Sequence, residues 1–175
     1  IDNLLIIGSQ PRYEAALLDA RIRKSWLKNN IKISRIGGGD KTSYEINDLG
    51  SDIQIIDQIY KGNHSYNKIL EKSNKTMILI GESVLNRNDG AGILGRLREI
   101  AKKYNFYSNK WNGIGVLHTA ANRVGALEAG FVPGKNGLCT EGILKSLKSN
   151  KIKLLWLLGY DEVIPKNNSE SFIIY

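Results

Sequence analysis

Near its start the chain reads Leu4-Leu5-Ile6-Ile7-Gly8-Ser9-Gln10-Pro11-Arg12. A short apolar run that ends at a glycine is typical of a strand buried on both faces. Beyond the turn, helical spacing places Ala15, Leu18, Ile22 and Trp26 on one face. The stretch therefore predicts a buried strand, a tight turn and a helix that packs on the sheet.

The same alternation continues along the chain. Apolar runs predict five further strands, at 31–36, 76–80, 114–117, 154–158 and 171–174. Helical patterns lie between these runs, at 51–61 with a Ser51–Gln54 capping box, at about 65–73, after Asn88 or Asp89, at about 120–128 and after the cap Thr140. Strands that are apolar throughout and joined by helical crossovers indicate a mainly parallel sheet with helices on both faces. The predicted fold class is doubly wound α/β.

Length and composition are those of one globular domain. The chain has 175 residues, 42% of them hydrophobic and 24% charged, so residues 1–175 are predicted to form a single α/β domain. The longest apolar runs, such as Leu154–Leu158, are far shorter than the ~20 residues that cross a bilayer, so no direct membrane insertion is expected. The chain starts in a strand-like segment and ends in Phe172–Tyr175. We interpret it as a piece of a longer polypeptide.

Charge and cysteine content narrow the function classes. The formal net charge is +8, but the lysines are scattered near the ends of predicted helices, where they complement the helix dipole. Nucleic acid is therefore not an expected partner. The single cysteine, Cys139, excludes a disulfide framework, a zinc ribbon and a self-contained iron–sulfur ligand set, because each needs several thiolates.

The turn Gly8–Arg12 is the first candidate site. Parallel sheets bind ligands at the carboxyl ends of their strands, and backbone amides there could hold a phosphate that Arg12 also contacts. The alternative is a plain strand-to-helix turn in which Gly8 relieves strain, Pro11 starts the helix and Arg12 is solvated. Residue types alone favour the plain turn.

A second candidate is the run Gly90-Ala91-Gly92-Ile93-Leu94-Gly95, which has the glycine spacing of dinucleotide-binding turns. That fingerprint joins a strand directly to its helix, whereas residues 81–89 intervene here. No acidic residue follows about 20 positions later to bind a ribose. These glycines are therefore interpreted as a flexible helix start with close packing.

Single reactive side chains complete the search. His64 and His118 have no partner at metal-ligand spacing; we expect one to be exposed and the other to be hydrogen-bonded at a strand end. Cys139 is expected to be a small buried side chain. Glu82, beside Ser83, could serve as a base, but nothing nearby requires it. The residues alone predict no catalytic, cofactor-binding or metal site.

Residues 5–26 carry a specific resemblance. They read Leu5-Ile6-Ile7-Gly8-Ser9-Gln10-Pro11-Arg12-Tyr13-Glu14-Ala15, continued by Asp19-Ala20-Arg21-Ile22-Arg23-Lys24-Ser25-Trp26. This segment resembles the pattern GxNPRxEAPxxNARIRKxW of the large iron–sulfur subunit of NADH–quinone oxidoreductase, respiratory complex I. Later blocks agree in order, among them Arg87–Ala91, Ala126–Gly134 and Leu155–Asp161.

The resemblance implies a formate dehydrogenase- or DMSO reductase-like fold, in a part of the subunit that is related to molybdopterin oxidoreductases but has lost the molybdenum cofactor. The implied role is a non-catalytic structural domain of an enzyme that passes electrons from NADH to quinone with proton translocation. The full-length subunit is expected to carry 4Fe-4S and 2Fe-2S clusters, and this chain no cofactor. Other subunits of the peripheral arm are the implied partners, at the cytoplasmic side of the bacterial inner membrane or the mitochondrial matrix side.

The resemblance also assigns roles to individual residues. In molybdenum-binding relatives a Gly-x-Asn-Pro-type turn approaches the guanine dinucleotide of the cofactor, so Gly8–Pro11 is implied to be a structural remnant, with Gln10 where the family usually has Asn. Gly92 and Gly95 stand where alanines are common. Arg21, Arg23 and Trp26 are implied to serve packing and contact between subunits. The alternative function is a molybdopterin- or nucleotide-binding oxidoreductase domain that uses the Gly8–Arg12 turn.

Overall fold

The computed structural model describes residues 1–160 and 171–175. Its elements follow in the order β1 (Asn3–Ile7), α1 (Pro11–Glu14), α2 (Ala16–Asn29), β2 (Lys32–Ile36), β3 (Asn47–Asp48), α3 (Gln54–Lys61), α4 (Asn67–Lys72), β4 (Thr76–Gly81), α5 (Glu82–Leu85), α6 (Gly90–Lys103), β5 (Tyr107–Ser108), β6 (Trp111–Asn112), β7 (Ile114–Leu117), α7 (Arg123–Glu128), α8 (Thr140–Lys148), β8 (Leu154–Trp156) and β9 (Phe172–Ile174). Two compact units are present, residues 1–120 and 121–175. The assignment of residues 1–175 to a single domain stays a prediction.

The first unit is built on a five-stranded sheet with the strand order β3-β2-β1-β4-β7. All four pairings are parallel. The central strand β1 pairs along its whole length with both neighbours, so that Asn3 lies opposite Lys32 on one side and Thr76 on the other. The predicted mainly parallel α/β fold is confirmed.

Alternate residues of β1 pack on opposite faces of the sheet. Leu5 and Ile7 belong to a buried cluster with side chains of α3, α4 and α6, whereas Leu4 and Ile6 pack with Ile22 of α2. This alternation follows from the two-residue period of a strand. Helices therefore cover both faces, which is why the strand is apolar throughout.

Helix starts differ from the sequence prediction in three places. The Ser51–Gln54 capping box is wrong, because Asp52 Oδ1 accepts the hydrogen bond from the Gln54 backbone N–H at 2.8 Å and α3 begins at Gln54. Thr140 is the first residue of α8 rather than its cap. The helix expected at 120–128 begins only at Arg123.

The second unit holds α7, α8 and a two-stranded parallel sheet of β8 and β9. The strand predicted at 154–158 as part of the main sheet is wrong in extent and pairing. It ends at Trp156 and pairs with β9, Leu154 opposite Phe172, because this second apolar segment supplies its ladder.

Apolar side chains of the second unit are mostly exposed. Among its described residues one large apolar side chain, Leu147, is buried. Phe131, Trp156 and Leu158 are 84%, 69% and 89% exposed. Contiguous apolar surface of this kind marks an interaction site in folded proteins. Within the described part of the whole chain, no helix has both the length and the apolar character needed to cross a bilayer.

Candidate functional site

The strand order creates a topological switch point between β1 and β4. From β1 the chain continues to β2 and β3 on one side and then returns to β4 on the other. Open parallel sheets bind ligands in the crevice outside the carboxyl ends of such a strand pair. The turn Gly8–Arg12 leaves β1 here, beside Gly81 at the end of β4. The predicted candidate site thus lies where this class of fold binds its ligands.

The crevice is closed by the protein's own atoms. Gly8 has a φ of +58°, a conformation that glycine adopts without steric cost. A Cβ on Gly8 would lie 2.0 Å from Val84 Cγ2, and a Cβ on Gly81 would lie 2.2 Å from the carbonyl oxygen of Gly8. Ser83 Oγ donates a hydrogen bond of 2.9 Å to that same oxygen. Helix α5 therefore packs directly on the turn.

A carboxylate satisfies the polar groups at the start of α1. Glu14 Oε1 accepts a hydrogen bond of 2.9 Å from the backbone N–H of Gln10, and Glu14 Oε2 accepts one of 2.7 Å from Ser9 Oγ. Pro11, the first residue of the helix, has no N–H to offer. The anion held at this helix start is the chain's own side chain, and its negative charge disfavours a phosphate beside it.

The loop after β2 lies over the other side of the turn. Arg12 Nη1 donates to the carbonyl oxygen of Lys41 at 3.1 Å, and Tyr13 OH donates to Asp40 Oδ2 at 3.1 Å. Arg35 Nη1 donates to the carbonyl oxygen of Asp40 at 3.0 Å. The free volume left between loop and turn is about 20 Å³, which is room for little more than one water molecule.

The ionisable groups beside this turn are bonded to one another. Arg35 Nη2 lies 2.8 Å from Asp48 Oδ2, and the pKa of Asp48 is lowered first by the backbone N–H of Gly50 and then by the Arg35 guanidinium. Tyr44 OH donates to Asp19 Oδ1 at 2.7 Å. Burial and this bond raise the pKa of Tyr44. These groups hold the loop in place rather than presenting charge to a ligand.

Only one glycine of the 90–95 run is sterically required. A Cβ on Gly90 would lie 2.1 Å from the carbonyl oxygen of Leu85, whereas Gly92 and Gly95 have nothing within 4 Å. The run begins α6, which is separated from β4 by α5. Gly90 therefore permits the close approach of two successive helices.

The two histidines differ from expectation. His64 is half-buried, and its Nδ1 accepts a hydrogen bond of 3.1 Å from the backbone N–H of Tyr66 at the start of α4. His118 follows β7 as expected, but its buried Nδ1 has no hydrogen-bond partner among the described residues. The hydrogen-bonded histidine is thus His64, which precedes α4, and not His118 at the end of β7.

Cys139 and Glu82 also have environments that the sequence did not predict. Cys139 is exposed, so the expectation of a buried side chain is wrong; it precedes α8 in the unit whose apolar side chains are mostly exposed. Glu82 is 4% exposed. Its Oε2 accepts hydrogen bonds from Thr119, at 2.6 Å from the backbone N–H and 2.7 Å from Oγ1. The carboxylate thereby ties the end of β4 to the segment after β7.

A larger cavity lies within the second unit. Its volume is about 580 Å³, and its walls are mainly apolar side chains that include Phe131, Leu144, Trp156 and Leu158. Its lining also includes Cys139, Thr140 and Tyr160. Small-molecule sites place several convergent polar groups in such a cavity, and the described lining contains no charged side chain.

Comparison with known proteins assigns the chain to a family. The profile of the molybdopterin oxidoreductase family matches residues 2–175. The chain belongs to the molybdopterin oxidoreductase family. Its switch-point crevice is thus the place to look for the cofactor that this family is named after.

Relatives with curated names resemble the chain over 99% of its length. It is 36% identical to the NADH-ubiquinone oxidoreductase 75 kDa subunit of Reclinomonas americana and covers 25% of that protein. It is 36% identical to an NADH-quinone oxidoreductase subunit of Rickettsia conorii, covering 24%, and 35% identical to the mitochondrial NADH-ubiquinone oxidoreductase 78 kDa subunit of Candida albicans, covering 23%. The resemblance read from residues 5–26 is confirmed, and the chain spans about a quarter of the length of these relatives.

A molybdopterin does not fit the residues present at the switch point. On the side of the loop after β2, the free volume next to Gly8–Arg12 is about 20 Å³, whereas cofactor sites enclose about 300–1,000 Å³. On the side of β4, Ser83 and Val84 lie against Gly8. The helix start that would receive a phosphate already holds the carboxylate of Glu14. Among the described residues, no group of three or more His, Cys, Asp or Glu side chains could hold a metal ion.

The sequence located this turn but missed the groups that close it. Val84 and Ser83 contact Gly8 from about 75 residues further along the chain, and no local pattern predicts that contact. Glu14 was detectable, because an acidic residue in the first turn after a proline is a recognised helix-start signal.

Proposed function

We propose that the chain is a section of the large iron–sulfur subunit of an NADH–quinone oxidoreductase and serves there as a non-catalytic structural domain. The relatives that support this are subunits of such enzymes, matched over 99% of this chain. As a component of that enzyme, the domain helps to assemble the machinery that passes electrons from NADH towards quinone.

The main support for a structural role is that the crevice at the switch point is closed. In this fold class the crevice beside β1 and β4 is the ligand site. Here Val84 and Ser83 lie against Gly8, and Glu14 accepts the hydrogen bonds of Ser9 and Gln10. A domain that fills its own ligand site with side chains contributes packing and contact surface rather than a bound cofactor.

The exposed apolar surface supports the proposal of a longer polypeptide. The second unit buries one large apolar side chain among its described residues and exposes Phe131, Trp156 and Leu158. A further three quarters of sequence, as in the relatives, supplies chain to cover them. The iron–sulfur clusters of the full-length subunit belong to that other sequence, since this chain has one cysteine.

Partners and location follow from the same proposal. Other subunits of the peripheral arm contact this domain, at the cytoplasmic side of the bacterial inner membrane or at the matrix side in mitochondria. Helices α3 and α6 pack their apolar sides on the sheet and turn polar sides outward, which suits a peripheral position.

The test is the oxidation of NADH by an artificial acceptor, normalised to the amount of assembled enzyme. Arg12→Ala removes the side chain that a ligand at the turn would need, and Arg98→Ala removes another exposed arginine as a matched control. Both variants should match the parent in NADH oxidation per assembled enzyme, because a structural domain holds no ligand at this turn. Neither variant should unfold the domain, since substitutions of exposed residues change the free energy of unfolding by about 0.5 kcal/mol or less. A large loss per assembled enzyme for Arg12→Ala alone would indicate the molybdopterin- or nucleotide-binding alternative.

A further inference from the structure

Helix α2 has two differently used faces. Ile22 is buried against the sheet, and Leu18 and Trp26 pack partly buried beside it. The opposite face carries Leu17 and Leu27, which are 85% and 62% exposed. At 100° per residue these two leucines lie within about 80° of each other on the side away from the sheet. We call this side, with Leu17, Ala20, Lys24, Leu27 and Lys28, the outer face of α2.

Basic side chains surround the two leucines. Arg21, Arg23, Lys24 and Lys28 are all exposed, and none has an ion pair or side-chain hydrogen bond within the described residues. Asp19 is the one acidic residue of the helix, and it accepts a hydrogen bond from Tyr44 on the inner side. The outer face therefore combines apolar contact area with uncompensated positive charge.

This charge arrangement weakens the helix itself. Arg21 and Lys24 are three residues apart, and Lys24 and Lys28 are four apart, so each pair repels across one turn. Only Lys28 lies in the last turn, where a cation is favoured by the helix dipole. Opposite charge from outside the chain would remove this repulsion.

We propose that the outer face of α2 docks on the acidic surface of a partner protein, whose carboxylates meet Arg21, Arg23 and Lys24 and whose apolar centre covers Leu17 and Leu27. The proposal rests on the proposed function only in that the enzyme's other subunits supply the partner. Apolar centres with a charged rim are the usual anatomy of such interfaces, and complementary charge fixes their register.

Two other anionic partners fit this surface less well. A phosphate backbone would pair with the cations but would leave both leucines exposed. A lipid surface would need a continuous apolar face with aromatic side chains, whereas the aromatic side chain of α2, Trp26, is on the inner side. A folded protein uses both the cations and the leucines.

The experiment places a photo-cross-linking amino acid at Leu17 or Leu27 of the full-length subunit, in cells that assemble the enzyme. Gln58, exposed on α3, is the matched control position. Cross-links from Leu17 and Leu27 should join one partner polypeptide at a segment rich in Asp and Glu, identified by peptide mass spectrometry. The charge-reversal variant Arg21→Glu/Lys24→Glu should lower the yield about tenfold, because like charges are then opposed across the interface.

A second charge-reversal variant, on another helix, tests whether the cross-linking yield depends on charge at the outer face of α2 or on the total charge of the chain. Lys68→Glu/Lys72→Glu changes the same number of exposed cations on α4 and should leave the yield unchanged. Cross-links to lipid, to nucleic acid or to another segment of the same subunit would overturn the docking surface. Equal yields from Leu17 and Gln58, or a yield that is unchanged in Arg21→Glu/Lys24→Glu, would also overturn it. If the subunit fails to copurify with NADH oxidation, the proposed function fails, while a charge-dependent cross-link to another acidic protein still supports docking.

Discussion

Gly8 has a left-handed backbone conformation and lies close to the side chain of Val84. Its φ is +58°, and an added Cβ would lie 2.0 Å from Val84 Cγ2. We expect Gly8→Ala to lower the free energy of unfolding by about 1–3 kcal/mol, because backbone strain and a clash are added together. Gly92→Ala is the matched control. Gly92 is helical with open space around it, so alanine there should raise that free energy by about 0.5–1 kcal/mol.

Urea unfolding of the parent and the two variants, followed by circular dichroism, measures both effects. The closed crevice requires that the two substitutions shift the midpoint in opposite directions. A midpoint for Gly8→Ala equal to that of the parent would mean that Val84 does not press on the turn.

Asn3 and Tyr66 form a buried polar pair in the first unit. Asn3 Nδ2 donates a hydrogen bond of 2.8 Å to Tyr66 OH, and burial raises the pKa of Tyr66 above its ordinary value of 10.0. The unfolded chain therefore loses the tyrosine proton at lower pH than the folded chain. The stability linked to this proton is fully present below pH 10 and is lost as the pH rises towards the folded pKa.

Tyr66→Phe isolates this contribution. Near pH 8 the variant should be less stable than the parent by about 1–2 kcal/mol, because Asn3 Nδ2 loses its hydrogen bond to Tyr66 OH and keeps only the longer one, of 3.3 Å, to Thr76 Oγ1. Above about pH 10 the difference should shrink, since only the parent loses stability by ionisation of Tyr66. Unfolding free energies measured at the two pH values test this; a difference that is constant or grows would contradict the assigned burial.

The two faces of α2 differ in how much stability the protein should lose when a side chain is truncated to alanine. Ile22 is 6% exposed and packs with Leu4 and Ile6, so Ile22→Ala should lower the free energy of unfolding by about 2–4 kcal/mol. Trp26 is only partly buried in the same cluster, and its truncation should cost about 2 kcal/mol. Leu17→Ala, on the outer face, should change it by about 0.5 kcal/mol or less. Thermal or urea unfolding ranks the three, and a large loss for Leu17→Ala would contradict the described orientation of the helix.

Elements with their own local pattern were predictable from the sequence. Strands β1 and β4 are long apolar runs, and α6 repeats apolar residues at helical spacing. Strand β3 was missed because it consists of two exposed polar residues, Asn47 and Asp48, and exists only through its pairing with β2. Helix α5 was missed because four residues show no period and it follows β4 without a loop.

Features that depend on distant residues were not predictable. The turn Gly8–Arg12 was located from the sequence, but its closure depends on Val84 and Ser83 of α5. The pairing of β8 with β9 also joins segments that have no common local pattern. The closure of the turn and the pairing of β8 with β9 both depend on contacts between residues far apart in the sequence. Propensity and periodicity do not predict such contacts, because they describe only neighbours along the chain.

The two units of the molecule differ in how they bury apolar residues. The first has a cluster on each face of its sheet, whereas the second exposes Trp156 and Leu158 around a cavity that Cys139 also lines. If additional sequence covers this surface, Cys139 should react slowly with a maleimide in the full-length subunit and quickly in residues 1–175 alone. Peptide-resolved mass spectrometry measures both rates against those of the denatured chains. Equal, fast reaction in both would contradict coverage of this surface.

The pterin and molybdenum content of the purified enzyme that contains this chain tests the structural role most directly. The residues beside Gly8–Arg12 leave about 20 Å³ of free volume, far below the volume that a bound cofactor needs. We predict no pterin fluorescence after oxidative release and no molybdenum in proportion to the chain. Pterin or molybdenum equimolar with the chain would contradict the closed crevice and the non-catalytic role.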